Sequence, residues 1–148
     1  MNLLKVDTIA QSREKLKAAV AEKKQAIEFV KLEDALGRVI ASDLVSPEPI
    51  PHFRRSTVDG YAVRSSDTHG VTDSIPVFLE MVEKIAIGTP AVRTIGPGQC
   101  AYVPTGGMIP EGADAVVMIE YCENFDADSI AVYDSVSAGR NVVGVGED

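Results

Sequence analysis

Tryptophan is absent and aromatic side chains make up only 5% of the 148 residues, so stacking platforms for single-stranded nucleic acid have little to be built from. Cations are scarce after the first stretch: residues 1–32 carry a net +3 and the remainder −11. An acidic body excludes nonspecific nucleic-acid binding, which relies on clustered Lys and Arg. The only sulfhydryls are Cys100 and Cys122, and the only imidazoles are His52 and His69. They form neither a Cys-x-x-Cys unit nor a helical His pair, which argues against zinc. Met1-Asn2-Leu3-Leu4 lacks the charged leader and apolar core of a signal peptide, and no run is long enough for a transmembrane helix. Free thiols in a reducing cytoplasm are therefore expected, with no membrane and no nucleic acid as partner.

What is present is an apolar fraction of 45%, enough for a packed core in one domain or two small ones. Residues 8–23 have helical periodicity, with Ile9, Leu16, Ala19 and Val20 on one narrow stripe. Thr8 and Gln11 have capping-box spacing, with Asp7 as a rival cap. Residues 28–32 read as a short strand, 33–37 as a helical turn stopped by Gly37, and 38–45 as a strand. Pro47, Pro49 and Pro51 forbid a central strand or helix interior and mark a stiff connector. From 52 to 135, short apolar runs alternate with Gly and Pro turns: 61–63, 75–87, 101–103, 113–120 and 129–136. The expected fold is mainly β with an N-terminal helix (α+β): an extended subdomain and a β-rich, barrel-like or folded-sheet subdomain.

Two stretches carry candidate chemistry. In Ser56-Thr57-Val58-Asp59-Gly60-Tyr61-Ala62, an Asp-Gly pair between apolar residues predicts a tight turn. Asp59 is then either a turn-former bonded to its own backbone or a carboxylate positioned to act on a ligand. In Pro104-Thr105-Gly106-Gly107-Met108-Ile109-Pro110, paired glycines after a threonine allow close backbone approach, with amides and a hydroxyl facing a ligand. No Lys follows, so this is not a Walker loop, and a plain hairpin is the competing reading.

Taken together, these stretches resemble one family. Residues 51–63, with Asp67 after them, are similar to the Asp-Gly-Tyr-Ala signature of the molybdopterin molybdenumtransferases, the MoeA-type enzymes related to the E domain of gephyrin. Gly88 with the run 105–117 and Glu120 resembles their next motif, and Asn141-Val142 with Gly146-Glu147-Asp148 a third. The second motif commonly has alanine at Gly107, and an arginine commonly follows the Asn-Val pair where this chain has Val143.

The resemblance implies insertion of molybdate into adenylylated molybdopterin with Mg2+, releasing AMP, in an elongated homodimer. It implies that residues 1–50 with 136–148 form an extended first subdomain, and 51–135 a second. A pterin-binding α/β subdomain would follow residue 148 and bind most of the Mg2+, leaving no metal ligand within this chain. Asp59 and Thr105 would be catalytic, reaching a site held by the partner chain. Ser56, Gly60, Gly106, Gly107 and Asp148 would shape that site or touch substrate, whereas Asp114 and Glu120 would bond turn amides. An upstream molybdopterin adenylyltransferase is a candidate partner. The alternative is a non-catalytic dimerisation or scaffold module of gephyrin-like type, with a generic β-domain for small acidic or sugar ligands a distant third.

Overall fold

The computed structural model describes residues 6–21 and 26–147. By contacts the chain divides into two units, Met1–Val45 and Ser46–Asp148.

The first unit opens with helix α1, Ile9–Ala21. Its capping box forms: the Thr8 amide donates to Gln11 Oε1 (2.9 Å), and the Gln11 amide donates to Thr8 Oγ1 (3.2 Å). Asp7 does not cap; it pairs with Lys15 at 2.6 Å. Positions 22 and 23 of the expected helix lie outside the described residues. A 3-10 turn at Leu32–Asp34 follows, and Gly37 takes φ +79° as a stop residue should. The strands expected at 28–32 and 38–45 do not form. Val39 and Leu44 stand 89% and 86% exposed, and among the described residues of the unit no neighbouring strand offers them a ladder. Alternation alone cannot make a strand whose backbone has no partner.

The second unit is a sheet that curls into a half-barrel. Its strands are β1 (Arg55–Ser56), β2 (Gly60–Val63), β3 (Val77–Lys84), β4 (Gln99–Val103), β5 (Ala115–Met118), β6 (Cys122–Asn124), β7 (Ser129–Val132) and β8 (Val142–Val143). Six of them form one sheet in the order β5-β2-β4-β3-β7-β6, while β1 and β8 pair separately. All neighbours are antiparallel except β3 and β4. Val142 and Val143 pair with β1, and residues 140 and 141 bond Val116 of β5.

Both faces of the sheet are covered, which explains why β2 and β5 read as continuous apolar runs. Tyr61 and Val63 join Leu79, Cys100, Val117, Ile130 and Val132 in one core. The intervening Ala62 joins Ala101, Val103 and Val116 in a second, closed by Ile85, Ile95, Ile109 and Ala113 from the loops. The run 75–87 does not keep one face throughout. Val77, Leu79 and Met81 turn to the first core and Val82, by plain alternation, to the second; the register shift between Met81 and Glu83 then carries Ile85 to the second as well. An extra residue in one strand re-aims every side chain after it.

Gly60 opens β2 directly against β5. A Cβ there would lie 2.0 Å from the Val117 carbonyl oxygen. Because that obstacle is main chain, it cannot rotate away. Gly60→Ala is therefore expected to destabilise the second unit by about 3 kcal/mol. The check is urea unfolding of parent and variant, with the midpoint lowered and the slope unchanged.

Candidate functional site

The segment before Asp59 is held on both sides. Along one edge, the Ile109 amide donates to the Arg54 carbonyl (2.8 Å), the Ser56 amide to the Gly107 carbonyl (3.0 Å) and the Gly106 amide to the Ser56 carbonyl (2.8 Å). Along the other, β1 pairs with β8, and the Thr57 amide donates to the Asn141 carbonyl at 3.0 Å. Ser56, buried to 2% exposure, uses its hydroxyl within the turn: it donates to the Val58 carbonyl (2.6 Å) and accepts from the Val58 amide (3.2 Å). The Asp59 carbonyl accepts from the Ile119 amide at 3.0 Å.

This frame delivers Asp59 to Thr105. The Thr105 amide donates to Asp59 Oδ1 at 2.7 Å, and the Thr105 hydroxyl donates to the same oxygen at 3.0 Å. Both residues are exposed. Asp59 is therefore not folded back on its own turn; its partner comes from the threonine-glycine loop. The two bonds from Thr105, the amide's first, hold the carboxyl below the ordinary aspartate range. Oδ2 accepts no bond among the described residues and stays open to a ligand.

Such a group is ionised at neutral pH and is a weak proton acceptor. A general base works best with a pKa near the working pH. The geometry suits Asp59 better to orienting a hydroxyl or water, or to supplying one oxygen to a cation. Mg2+ is commonly held by one or two carboxylates together with substrate phosphates, so a single free Oδ2 fits it as one contributor. Among the described residues no three His, Cys, Asp or Glu stand together as a metal cage.

The glycines behave differently from their expected role. Gly106 sits at φ +80° and its amide is bound to Ser56, while the Gly107 amide donates to the Pro104 carbonyl at 2.8 Å. With the Thr105 amide on Asp59, all three amides of the run have acceptors inside the unit, so the run is no open anion nest. It offers a ligand the acceptor lone pairs of Thr105 Oγ1, whose proton is given to Asp59, and close approach at Gly106. Gly107 is buried, and a Cβ there would lie 2.9 Å from the Pro104 carbonyl oxygen. Gly106 also walls a small apolar cleft of about 240 Å3 with Phe53, Gly88, Thr89, Pro90 and Met108.

Other expected residues fall elsewhere. Asp114 accepts the Ser65 amide (2.6 Å) and hydroxyl (2.9 Å), a structural role as expected. Asp67 accepts the Gly98 amide at 2.9 Å. Glu120 is exposed and accepts no turn amide among the described residues. Gly60 faces the β5 backbone rather than the surface. Asp148 lies outside the described residues. Val143 pairs with Arg55 in the β1–β8 ladder, and Arg140 lines a separate polar hollow with His69 and Asp134. Cys100 and Cys122 are free thiols that burial pushes up to about 12, so neither is a nucleophile at neutral pH. Arg54 donates to the Ala113 (3.0 Å) and Pro110 (3.4 Å) carbonyls and braces the loop after Gly107.

Residues 7–148 match the family described as the MoeA N-terminal region, domains I and II. The chain belongs to that family. It is 38% identical to the molybdopterin molybdenumtransferase of Bacillus subtilis (strain 168) over 130 residues, covering 86% of this chain and 30% of that protein. It is 37% identical to molybdopterin molybdenumtransferase 2 of Mycobacterium tuberculosis (strain H37Rv) over 119 residues, covering 80% of this chain and 29% of that one. The crystal structure of the molybdopterin biosynthesis moeA protein from Pyrococcus horikoshii OT3 superposes with a TM-score of 0.69 at 40% identity, over 82% of this chain and 32% of that one. This MoeA N-terminal chain thus spans about a third of the length of these relatives. No helix among its described residues is long and apolar enough to cross a membrane.

The Asp59–Thr105 bonds make a titration prediction. A carboxyl with a lowered folded-state pKa contributes stability above its unfolded value, and loses it as pH falls through the folded one. Thr105→Val removes the hydroxyl bond and keeps the amide bond. The Asp59 pKa measured by carboxyl NMR is expected to rise partway toward the ordinary 3.8. The loss of stability on acidifying below that value is expected to become shallower than in the parent.

Proposed function

We propose that this chain is the N-terminal part of an enzyme that inserts molybdate into adenylylated molybdopterin and releases AMP. Asp59 and Thr105 then enter an active site completed in trans by the pterin-binding α/β subdomain of a second copy. The observation that carries this is the Asp59–Thr105 pair on a chain of the MoeA N-terminal family. An exposed carboxylate, kept ionised by two donors, is left with one oxygen that accepts no bond among the described residues.

In this reading Oδ2 of Asp59 orients the substrate, and Mg2+ would be held mainly by the pterin-binding subdomain. The cation, when bound, offsets charge on the substrate phosphates. Thr105 holds the carboxylate in place, Gly106 lets substrate approach the main chain, and Ser56, Gly60 and Gly107 keep the two loops in register. Asp148 is a lesser candidate for substrate contact. Residues 1–50 with 136–148 form the first subdomain and 51–135 the second, with the Pro47–Pro51 connector between them. A homodimer is supported by the apolar side chains of the first unit that remain in water, Phe29, Leu36 and Leu44 among them. The enzyme works in the cytoplasm, downstream of a molybdopterin adenylyltransferase.

The test joins this chain, as a separate polypeptide or in the full-length enzyme, to the missing C-terminal region and measures molybdate-dependent AMP release. Asp59→Asn is expected to lower kcat by about 100-fold or more, the scale of a positioned polar group in a transition state. Activity that survives the change removes the role of Asp59. Dimers that form normally but never turn over favour the scaffold reading, toward which Val143 in place of arginine leans.

A further inference from the structure

We propose that Asn141 is a positioning residue for the Asp59 carboxylate, a role that rests on the function assigned above to Asp59. Asn141 is the one non-glycine residue among those described with positive φ, at 59°. That conformation costs most L-residues about 1–2 kcal/mol and is best tolerated by asparagine. Two bonds hold it there. Its Nδ2 donates to the Val116 carbonyl at 2.9 Å, and its own carbonyl accepts the Thr57 amide at 3.0 Å.

The first bond answers a structural need. Val116 lies on β5, the edge of the sheet, and its amide and carbonyl both point away from β2. The amide donates to the Arg140 carbonyl at 3.0 Å, and the carbonyl takes Nδ2 of Asn141. Residues 140 and 141 thus cover an otherwise open edge. The second bond transmits that anchorage. Thr57 is two residues before Asp59, and its tether to Asn141 lies on the side of the turn opposite the Gly106 and Gly107 bonds. With Ile119 holding the Asp59 carbonyl, the turn is fixed at Ser56, Thr57 and Asp59. Only the Thr57 tether depends on a side chain reaching β5. The Thr105 amide and hydroxyl are the two donors on Asp59 Oδ1, so a shift of the turn that strains them is read in the Asp59 titration.

The experiment uses the 148-residue chain, labelled for NMR, with three variants. Asn141→Gly keeps the left-handed backbone and loses the Nδ2 bond. Asn141→Asp keeps shape but places an acceptor against the Val116 carbonyl, and Asn141→Ala loses both the bond and the tolerance for positive φ. The readouts are the Asp59 carboxyl titration and hydrogen exchange at Thr57 and Thr105. All three variants are expected to move the Asp59 pKa upward toward the ordinary aspartate value, least for Gly. Protection of the Thr57 and Thr105 amides is expected to fall at least about tenfold. A lower melting temperature with unchanged Asp59 titration and unchanged protection overturns the proposal and leaves Asn141 as an edge cover only. If the Ala and Asp variants fail to fold, the Gly variant decides alone. Asp59→Asn that keeps activity in the full-length enzyme would sink the function assigned to Asp59, yet leave the coupling between Asn141 and that carboxylate standing.

Discussion

Two donors from Thr105 on one oxygen of Asp59 close a gap of 46 residues along the chain. Around that closure the second unit is arranged. The segment 54–57 runs as the middle strand of a short ribbon, bonded to 106–109 on one side and to 141–143 on the other. Remove either neighbour and the Asp59 turn has a free side. The half-barrel beneath supplies rigidity, because β2 leaves the turn straight into two packed cores and cannot shift without disturbing both.

The same closure sets the chemistry. A carboxylate that receives two hydrogen bonds at the surface is kept charged and aimed, and its basicity is lowered by the same contacts. Strong proton abstraction and firm ionisation are competing demands on one group. This site satisfies the second, which favours orientation and charge over base catalysis. The glycine run next to it supports this division of labour. Its amides serve the protein, which leaves the second Asp59 oxygen and the acceptor side of the threonine hydroxyl as its open polar atoms.

The short motifs were readable at the level of residues. Asp59-Gly60 marked a turn, Thr105-Gly106-Gly107 a close approach, and their joint resemblance to the MoeA-type enzymes named the family that residues 7–148 match. The capping box at Thr8 and Gln11, the stop at Gly37 and the apolar strand 115–118 were equally local, and local rules located them. Less was visible where a partner decides. The alternation in 38–45 formed no strand because, among the described residues, no neighbour pairs with it. The run 75–87 changed face at a bulge that only the register with β4 reveals. Asn141 gave just a weak signal: an asparagine two residues after Gly139, a type that tolerates positive φ.

Residue identity alone settled which turns the chain can make, which stretches must be buried on both sides, and which enzyme family its motifs belong to. These depend on short-range sterics and on the water-avoidance of single side chains, both carried within a few neighbouring positions. Folding in three dimensions decided that the carboxylate faces threonine rather than its own backbone, that the glycine amides are already occupied, and that Ser56 and Gly60 serve the frame and not the surface. Those outcomes are contests between distant hydrogen-bonding groups for the same partners, and no linear pattern records which of them wins.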